Sequence, residues 1–125
     1  MKILITAAGL LLVLITLALF PAQSTAQSKS GKDLFDGRCA GCHALDRDKE
    51  GPRLAGVYGR AAGSVASFQY SDALTKSKIV WDEQTLDRWL SGPDKMVPDN
   101  DMGFRVQNPE ERHKIIEFLK QQTTR

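Results

Sequence analysis

Both cysteines of the chain and one of its two histidines lie within the short stretch CAGCH, from Cys39 to His43. Three chemistries use such a cluster: a disulfide bond, a metal site, and the covalent attachment of a haem. A redox-active C-x-x-C pair is typical of a βαβ context, and the sequence shows no convincing strand alternation. A structural zinc site needs four ligands, and the chain offers neither a second cysteine pair nor a well-placed histidine. The spacing C-x-x-C-H therefore favours haem attachment, with the disulfide as the alternative.

Thiols three positions apart on a helix lie one turn apart on the same face, where they can form thioethers with the two vinyl groups of one porphyrin. His43 follows directly and can bind the iron from one side. The candidates for the opposite side are Met96, Met102, His113 and the lysines. The residues alone favour Met102 only slightly, because a methionine in a loop is more often a packing residue than a ligand.

The element that positions the cysteines is predicted to be a helix. Apolar residues and both cysteines share one helical face between Lys32 and Cys42. The following segment, from His43 to Tyr70, is rich in glycine and proline and shows no sustained alternation, so it is predicted to form loops that wrap around another part of the structure or a bound group.

Two further helices are predicted from their ends. Asp82 is the expected N-cap of one, which Gly92 and Pro93 terminate. Asn108 caps the other, with a proline at its first position and acidic residues in its first turn. His113 falls away from the apolar face of this last helix and is predicted to be exposed; that face comprises Ile115, Ile116, Phe118 and Leu119. We therefore predict an all-α domain with three main helices and long loops.

The N-terminus has the layout of a secretory signal, with one lysine, an apolar run from Ile3 to Phe20, a proline and small polar residues. We predict cleavage after Ala26, which leaves one domain at 27–125. An uncleaved membrane anchor is the alternative, because the apolar run is long for a signal. Either arrangement places the domain outside the cytoplasm. The formal net charge of the whole chain is only +2, which gives no indication of nucleic-acid binding.

The order of several motifs resembles that of class I c-type cytochromes, of the mitochondrial cytochrome c type and its soluble bacterial relatives. The motifs extend from Gly31 to Lys120, nearly the whole domain: GKDLFDGRCAGCH, GPRLAGVYGRAAG, FQYSDA, WDEQTL, PDNDMGF and ERHKIIEFLK. The resemblance implies a small cytochrome c fold around one haem, covalently bound through Cys39 and Cys42. It also implies that Met102 is the second axial ligand, with Met96 a bystander.

The resemblance further assigns residues around the haem. The carbonyl of Pro52 is expected to accept a hydrogen bond from the second ring nitrogen of His43, which fixes the ring and tunes the iron. Arg60, Tyr70 and Trp81 match positions that surround the haem propionates. In each case the side chain also has an ordinary packing role.

The same resemblance predicts how the first and last helices meet. Gly31 and Phe35 match the point where these helices cross, and Phe118 is expected to pack there. The missing side chain of the glycine would let the two backbones approach closely.

Three positions depart from the pattern of the family. The proline and glycine that usually precede the ligand are Pro98 and Asp99 here, and Leu74 stands where an asparagine is common. Trp89 replaces a tyrosine whose hydroxyl usually meets the methionine sulfur, and an indole N–H could donate instead. The hydrogen bonds beside Met102 therefore cannot be carried over from the family.

The function implied by the resemblance is electron transfer, by a monomeric periplasmic carrier with His/Met ligation. Its partners would be redox proteins such as cytochrome complexes, oxidases, dehydrogenases or reductases. If Met102 were not on the iron, a haem peroxidase or a gas-binding protein would be expected instead. If the N-terminal segment were retained, the domain would be a membrane-tethered entry point for electrons into a respiratory complex.

Overall fold

The computed structural model describes residues 27–122, so the predicted signal peptide lies outside the described residues. Within this range no helix is long and apolar enough to cross a membrane. The described chain forms five helices, namely α1 (Gly31–Arg38), α2 (Asp72–Lys76), α3 (Glu83–Ser91), α4 (Pro93–Met96) and α5 (Pro109–Lys120). The β structure found in the same range is a single isolated bridge between Ala61 and Val80. The prediction of an all-α fold with three main helices and long loops is confirmed.

Helix α1 is shorter than predicted, because it ends at Arg38 and leaves both cysteines outside it. Ser30 begins the helix with a capping box, in which its hydroxyl accepts from the Asp33 N–H and the Asp33 carboxylate accepts from the Ser30 N–H. At the other end Cys39 is the C-cap. The amides of Cys39 and Ala40 both donate to the Phe35 carbonyl, which terminates the regular i to i−4 pattern. The chain then continues as a turn that contains the cysteines.

Helices α3 and α5 begin at the predicted caps. The Asp82 carboxylate accepts from the Thr85 N–H, and the Asn108 side chain accepts from the first-turn amides of α5. Gly92 ends α3 as predicted. The short helices α2 and α4 were not predicted, since a single turn of helix has too few residues to show a periodic apolar pattern.

The first and last helices cross at a close contact, as predicted. A Cβ atom placed on Gly31 would lie 2.3 Å from the Lys114 carbonyl oxygen and 2.9 Å from the Phe118 Cβ, so only glycine fits there. The rings of Phe35 and Phe118 pack with their centroids 5.3 Å apart. Phe118 nevertheless stays half-buried.

Helix α5 also packs on α3, and the two helices share a core. The buried residues of this core include Ile115 and Ile116 of α5 together with Leu86 and Leu90 of α3. An ion pair between Arg112 Nε and Asp87 Oδ1, 2.6 Å apart, ties the same helices at the edge of the core. Helices α1, α3 and α5 therefore form a rigid frame, and the loops that carry most of the candidate site are attached to it.

Candidate haem site

A cavity of about 310 Å³ lies between the helical frame and the long loops. This volume is at the lower end of the range for cofactor sites, roughly 300–1,000 Å³. All eight residues predicted for the site line it: Cys39, Cys42, His43, Pro52, Arg60, Tyr70, Trp81 and Met102. The rival candidates Met96 and His113 do not line it, and neither does any lysine of the described residues. Met96 lines a separate groove beside α4, and the His113 side chain is 63% exposed. The prediction that His113 is exposed is confirmed.

The two thiols are brought together by the turn that follows α1. The amides of Cys42 and His43 both donate to the Cys39 carbonyl, at 3.1 and 2.9 Å. Lys49 returns to this turn, and its ammonium group donates to the carbonyls of Ala40 and Gly41 at 2.6 and 3.1 Å. The turn thus places both cysteines on the cavity although neither lies within a helix.

Neither thiol is in a disulfide bond. Burial raises the pKa of the Cys39 thiol to about 11, so it is neutral at physiological pH. Redox-active C-x-x-C motifs have the opposite property, a cysteine whose pKa lies below its usual value. The environment of Cys39 therefore disfavours a redox-active thiol–disulfide pair.

The imidazole of His43 is held by one of its nitrogens. Nδ1 donates to the Pro52 carbonyl at 2.8 Å, so Nε2 is the nitrogen left for a metal. Burial lowers the pKa of His43, which favours the neutral ring that ligates metals. Gly51 lies against the ring, because a Cβ atom there would be 2.2 Å from His43 Cε1. The tight fit allows one orientation of the imidazole.

Met102 is held at its sulfur and at its backbone amide. The indole Nε1 of Trp89 donates to its sulfur at 3.1 Å. The backbone N–H of Met102 donates to the Asn100 side-chain oxygen at 2.7 Å, and the Asn100 amide group donates to the Val97 carbonyl at 2.8 Å. Asp99 enters this turn with a φ of 63°, in the left-handed region that favours glycine. The glycine usual in the family is therefore explained by the backbone conformation, which Asp99 adopts in its place.

Arg60 has a buried nitrogen with no partner in the described part of the chain. Its two terminal nitrogens donate to the carbonyls of Ala55 and Arg53, whereas its Nε has no hydrogen bond. The Tyr70 oxygen accepts from the Val65 N–H at 3.4 Å, which leaves its own proton for an acceptor in the cavity. A buried donor without a partner costs about 1–3 kcal/mol, so an anionic group such as a propionate fits beside Arg60.

The donor set of the cavity therefore fits a covalently bound haem. It offers two free thiols, an imidazole with one free nitrogen, a fixed thioether and polar donors for the propionates. The remaining lining is largely apolar and includes Leu74, which contributes a hydrocarbon wall where the family usually has an amide.

Sequence reasoning missed Gly51, Asn100 and Lys49. The role of Asn100 could have been predicted, since Asn side chains that bond to the backbone are common in turns. The contact of Gly51 with His43 could not have been predicted, because the distance between a glycine and a ring eight positions away depends on how the loop folds. The same holds for Lys49, which appeared to be one of many surface lysines.

Comparisons with known proteins agree with this geometry. A family model described as Cytochrome c matches residues 28–123. The chain is 41% identical over 100 residues to a cytochrome c of Cochliobolus lunatus, covering 77% of this chain and 93% of that protein. It is 44% identical over 85 residues to cytochrome c2 iso-2 of Magnetospirillum molischianum, covering 66% and 88%. The structure of cytochrome cH from Methylobacterium extorquens matches with a TM-score of 0.69 and 38% identity, over 72% of this chain and 93% of that one.

The chain belongs to the cytochrome c family and is a class I c-type cytochrome. It is an electron-transfer protein rather than an enzyme, and it passes electrons to redox partner proteins. Its cofactor is haem c, attached covalently through the two cysteines that the chain contains.

Proposed function

We propose that this protein is a soluble periplasmic carrier of single electrons, with one haem whose iron is bound by His43 and Met102. The observation that carries the proposal is the hydrogen bond from Trp89 to the Met102 sulfur, which aims the thioether at the cavity that His43 also lines. When bound, the haem iron supplies the one-electron chemistry, between Fe(II) and Fe(III).

The protein contributes a fixed set of ligands and an apolar surrounding. His43 is locked by Pro52 and Gly51, and Met102 is locked by Trp89 and Asn100. Ligands that keep the same positions in both oxidation states leave little reorganisation to slow the transfer of an electron. A soft thioether and burial in an apolar cavity both favour Fe(II) and raise the reduction potential.

The periplasmic location rests on the N-terminal sequence, with cleavage after Ala26 giving a domain of residues 27–125. The test is to express the full chain with its own N-terminus and to determine the first residue of the holoprotein by mass spectrometry. A soluble protein that begins at Gln27 is expected. A membrane-bound protein that retains the apolar run would contradict the location and favour the tethered arrangement.

Charges of both signs lie on the cavity lining and on residues paired with it or next to it, and they bear on how a partner would be attracted. Arg38 lies 2.6 Å from Glu111, and Arg105 lies 2.8 Å from Asp94, so these two cations are paired within the protein. Asp101 is exposed on the cavity lining. Such an edge gives weak long-range steering, so the association rate with a partner is expected to depend only mildly on ionic strength.

Ligation is tested by spectroscopy of the purified holoprotein. The ferric form is expected to show the weak far-red band of methionine-bound haem, and the reduced form is expected to bind carbon monoxide slowly at neutral pH. Absence of the band together with rapid carbon monoxide binding would contradict the carrier and favour a gas-binding protein.

A further inference from the structure

A compact hydrogen-bond network joins two loops beside the cavity, and the proposed function makes no use of it. One oxygen of the Asp48 carboxylate accepts from the Arg53 N–H at 2.9 Å, and the other accepts from the Ser67 hydroxyl at 2.6 Å. The Ser67 oxygen in turn accepts from Arg53 Nη1 at 2.9 Å. We call these three residues the Asp48 network.

Ser67 belongs to segment 64–70, which makes few other hydrogen bonds to the rest of the chain. The other hydrogen bonds of this segment are local, from Ser64 to Ala61, from Phe68 to Val65 and from Val65 to Tyr70. Within residues 27–122, every hydrogen bond that joins 64–70 to more distant chain passes through the Ser67 hydroxyl. Apart from apolar packing, which includes the buried Val65, the segment is therefore held by one side chain and its two partners.

The segment carries two aromatic residues of the cavity wall. Phe68 and Tyr70 both line the cavity, and their rings pack edge to face with centroids 4.9 Å apart. On the other side of the network, the Arg53 carbonyl accepts from Arg60 Nη2 at 3.0 Å. None of the three residues of the Asp48 network is among those that line the cavity, but Arg53 bonds to Arg60 and Ser67 precedes Phe68, which both line it.

The charge of Asp48 supports a role for the network at neutral pH. Hydrogen bonds from Ser67 and from the Arg53 backbone lower the pKa of the Asp48 carboxyl, so the group is ionised there. A carboxylate that accepts two hydrogen bonds makes stronger bonds than a neutral acceptor would.

We propose that Asp48 is a positioning residue, which through Ser67 and Arg53 holds segment 64–70 closed over one edge of the haem cavity and so limits the access of water. The proposal rests on the proposed function in one respect only, namely that the cavity holds the haem. Greater access of water stabilises the more highly charged Fe(III) state, so a weakened network lowers the reduction potential.

The experiment compares Ser67→Ala with Ser64→Ala in the holoprotein, by hydrogen–deuterium exchange and by redox titration. Ser64 is the matched control, because it is an exposed serine of the same segment whose hydroxyl bonds only to the local Ala61 carbonyl. For Ser67→Ala we expect the amides of 64–70 to exchange about tenfold faster, as for the loss of a hydrogen bond to a charged group, and the potential to fall. Neither variant changes the charge of the protein, so a shift in potential does not arise from a lost carboxylate.

A double-mutant cycle with Asp48→Ala identifies the partner. Exchange in 64–70 should rise in Asp48→Ala, and the double variant should add little to either single change, since both remove the same link. If Asp48→Ala does not fold, Asp48→Asn replaces it, because the amide keeps an acceptor for the Arg53 N–H.

Unchanged exchange in Ser67→Ala, or an equal rise in Ser64→Ala, would overturn the proposal. Faster exchange with an unchanged potential would also overturn it, since the network would then stabilise the loop without positioning the cavity edge. These results are independent of the far-red band, whose absence from the unsubstituted protein would contradict the proposed ligation instead.

Discussion

The indole nitrogen of Trp89 lies 3.1 Å from the sulfur of Met102 and donates a hydrogen bond to it. This bond draws electron density from the thioether and weakens its donation to Fe(III), so it favours the reduced state. We predict that Trp89→Phe lowers the reduction potential. A hydrogen bond contributes about 0.5–1.5 kcal/mol, and 59 mV corresponds to a tenfold change for one electron, so the fall should be at most about 60 mV in a redox titration.

The control for Trp89→Phe is Trp89→Tyr, which restores a donor of the kind usual in the family. Its potential should lie closer to that of the unsubstituted protein than the potential of Trp89→Phe does. Equal potentials in the two variants would show that the volume of the indole matters and its N–H does not.

The choice between the two methionines gives a second prediction. Met102 lines the cavity, whereas Met96 lies in the separate groove beside Lys95 and Ile79. Met102→Ala should remove the far-red band, let the reduced iron bind carbon monoxide rapidly and lower the potential. Met96→Ala should leave all three measurements close to those of the unsubstituted protein. The reverse pattern would assign the ligand to Met96.

How much of this site was predictable can be judged from particular residues. The caps Asp82 and Asn108 and the apolar face of α5 depend on neighbours along the chain, and they were predicted correctly. The predicted end of α1 was wrong. The neighbouring residues do not distinguish a helix that continues through Cys42 from a turn whose carbonyls bond to Lys49.

Contacts between distant parts of the chain were predictable only through the family resemblance. The hydrogen bond of His43 to Pro52 and the close approach at Gly31 came from that source. The Asp48 network could not be predicted in either way, because its bond from Asp48 to Ser67 spans loops whose meeting depends on the complete fold.

The crossing of α1 and α5 leads to a third prediction. Gly31→Ala should lower the free energy of unfolding by about 1–3 kcal/mol, the usual cost of overpacking, because the new Cβ would lie 2.3 Å from the Lys114 carbonyl oxygen. The measurement is denaturant unfolding of the holoprotein. Gly37→Ala is the matched control, since a Cβ on Gly37, in the same helix, would meet nothing within 4 Å. That variant should be up to about 1 kcal/mol more stable than the unsubstituted protein. Equal effects of the two substitutions would contradict the close approach.

The turn before Met102 gives the last prediction, which concerns the order of stability of two variants at one position. Asp99 has a φ of 63°, where a side chain with a Cβ atom is strained and glycine is not. Asp99→Gly should therefore be more stable than Asp99→Ala by about 1 kcal/mol. At an ordinary position alanine is the more stable of the two, by roughly 0.4–1 kcal/mol, because glycine has more freedom to lose on folding.

Asp101 provides the control, because it lies two positions along the same loop and its φ is not positive. There the order should reverse, with Asp101→Ala more stable than Asp101→Gly in the same unfolding experiment. The far-red band should persist in Asp99→Gly, since the Asn100 side chain still holds the Met102 amide. Alanine more stable than glycine at both positions would mean that the backbone at Asp99 is not held in the left-handed region when the haem is bound.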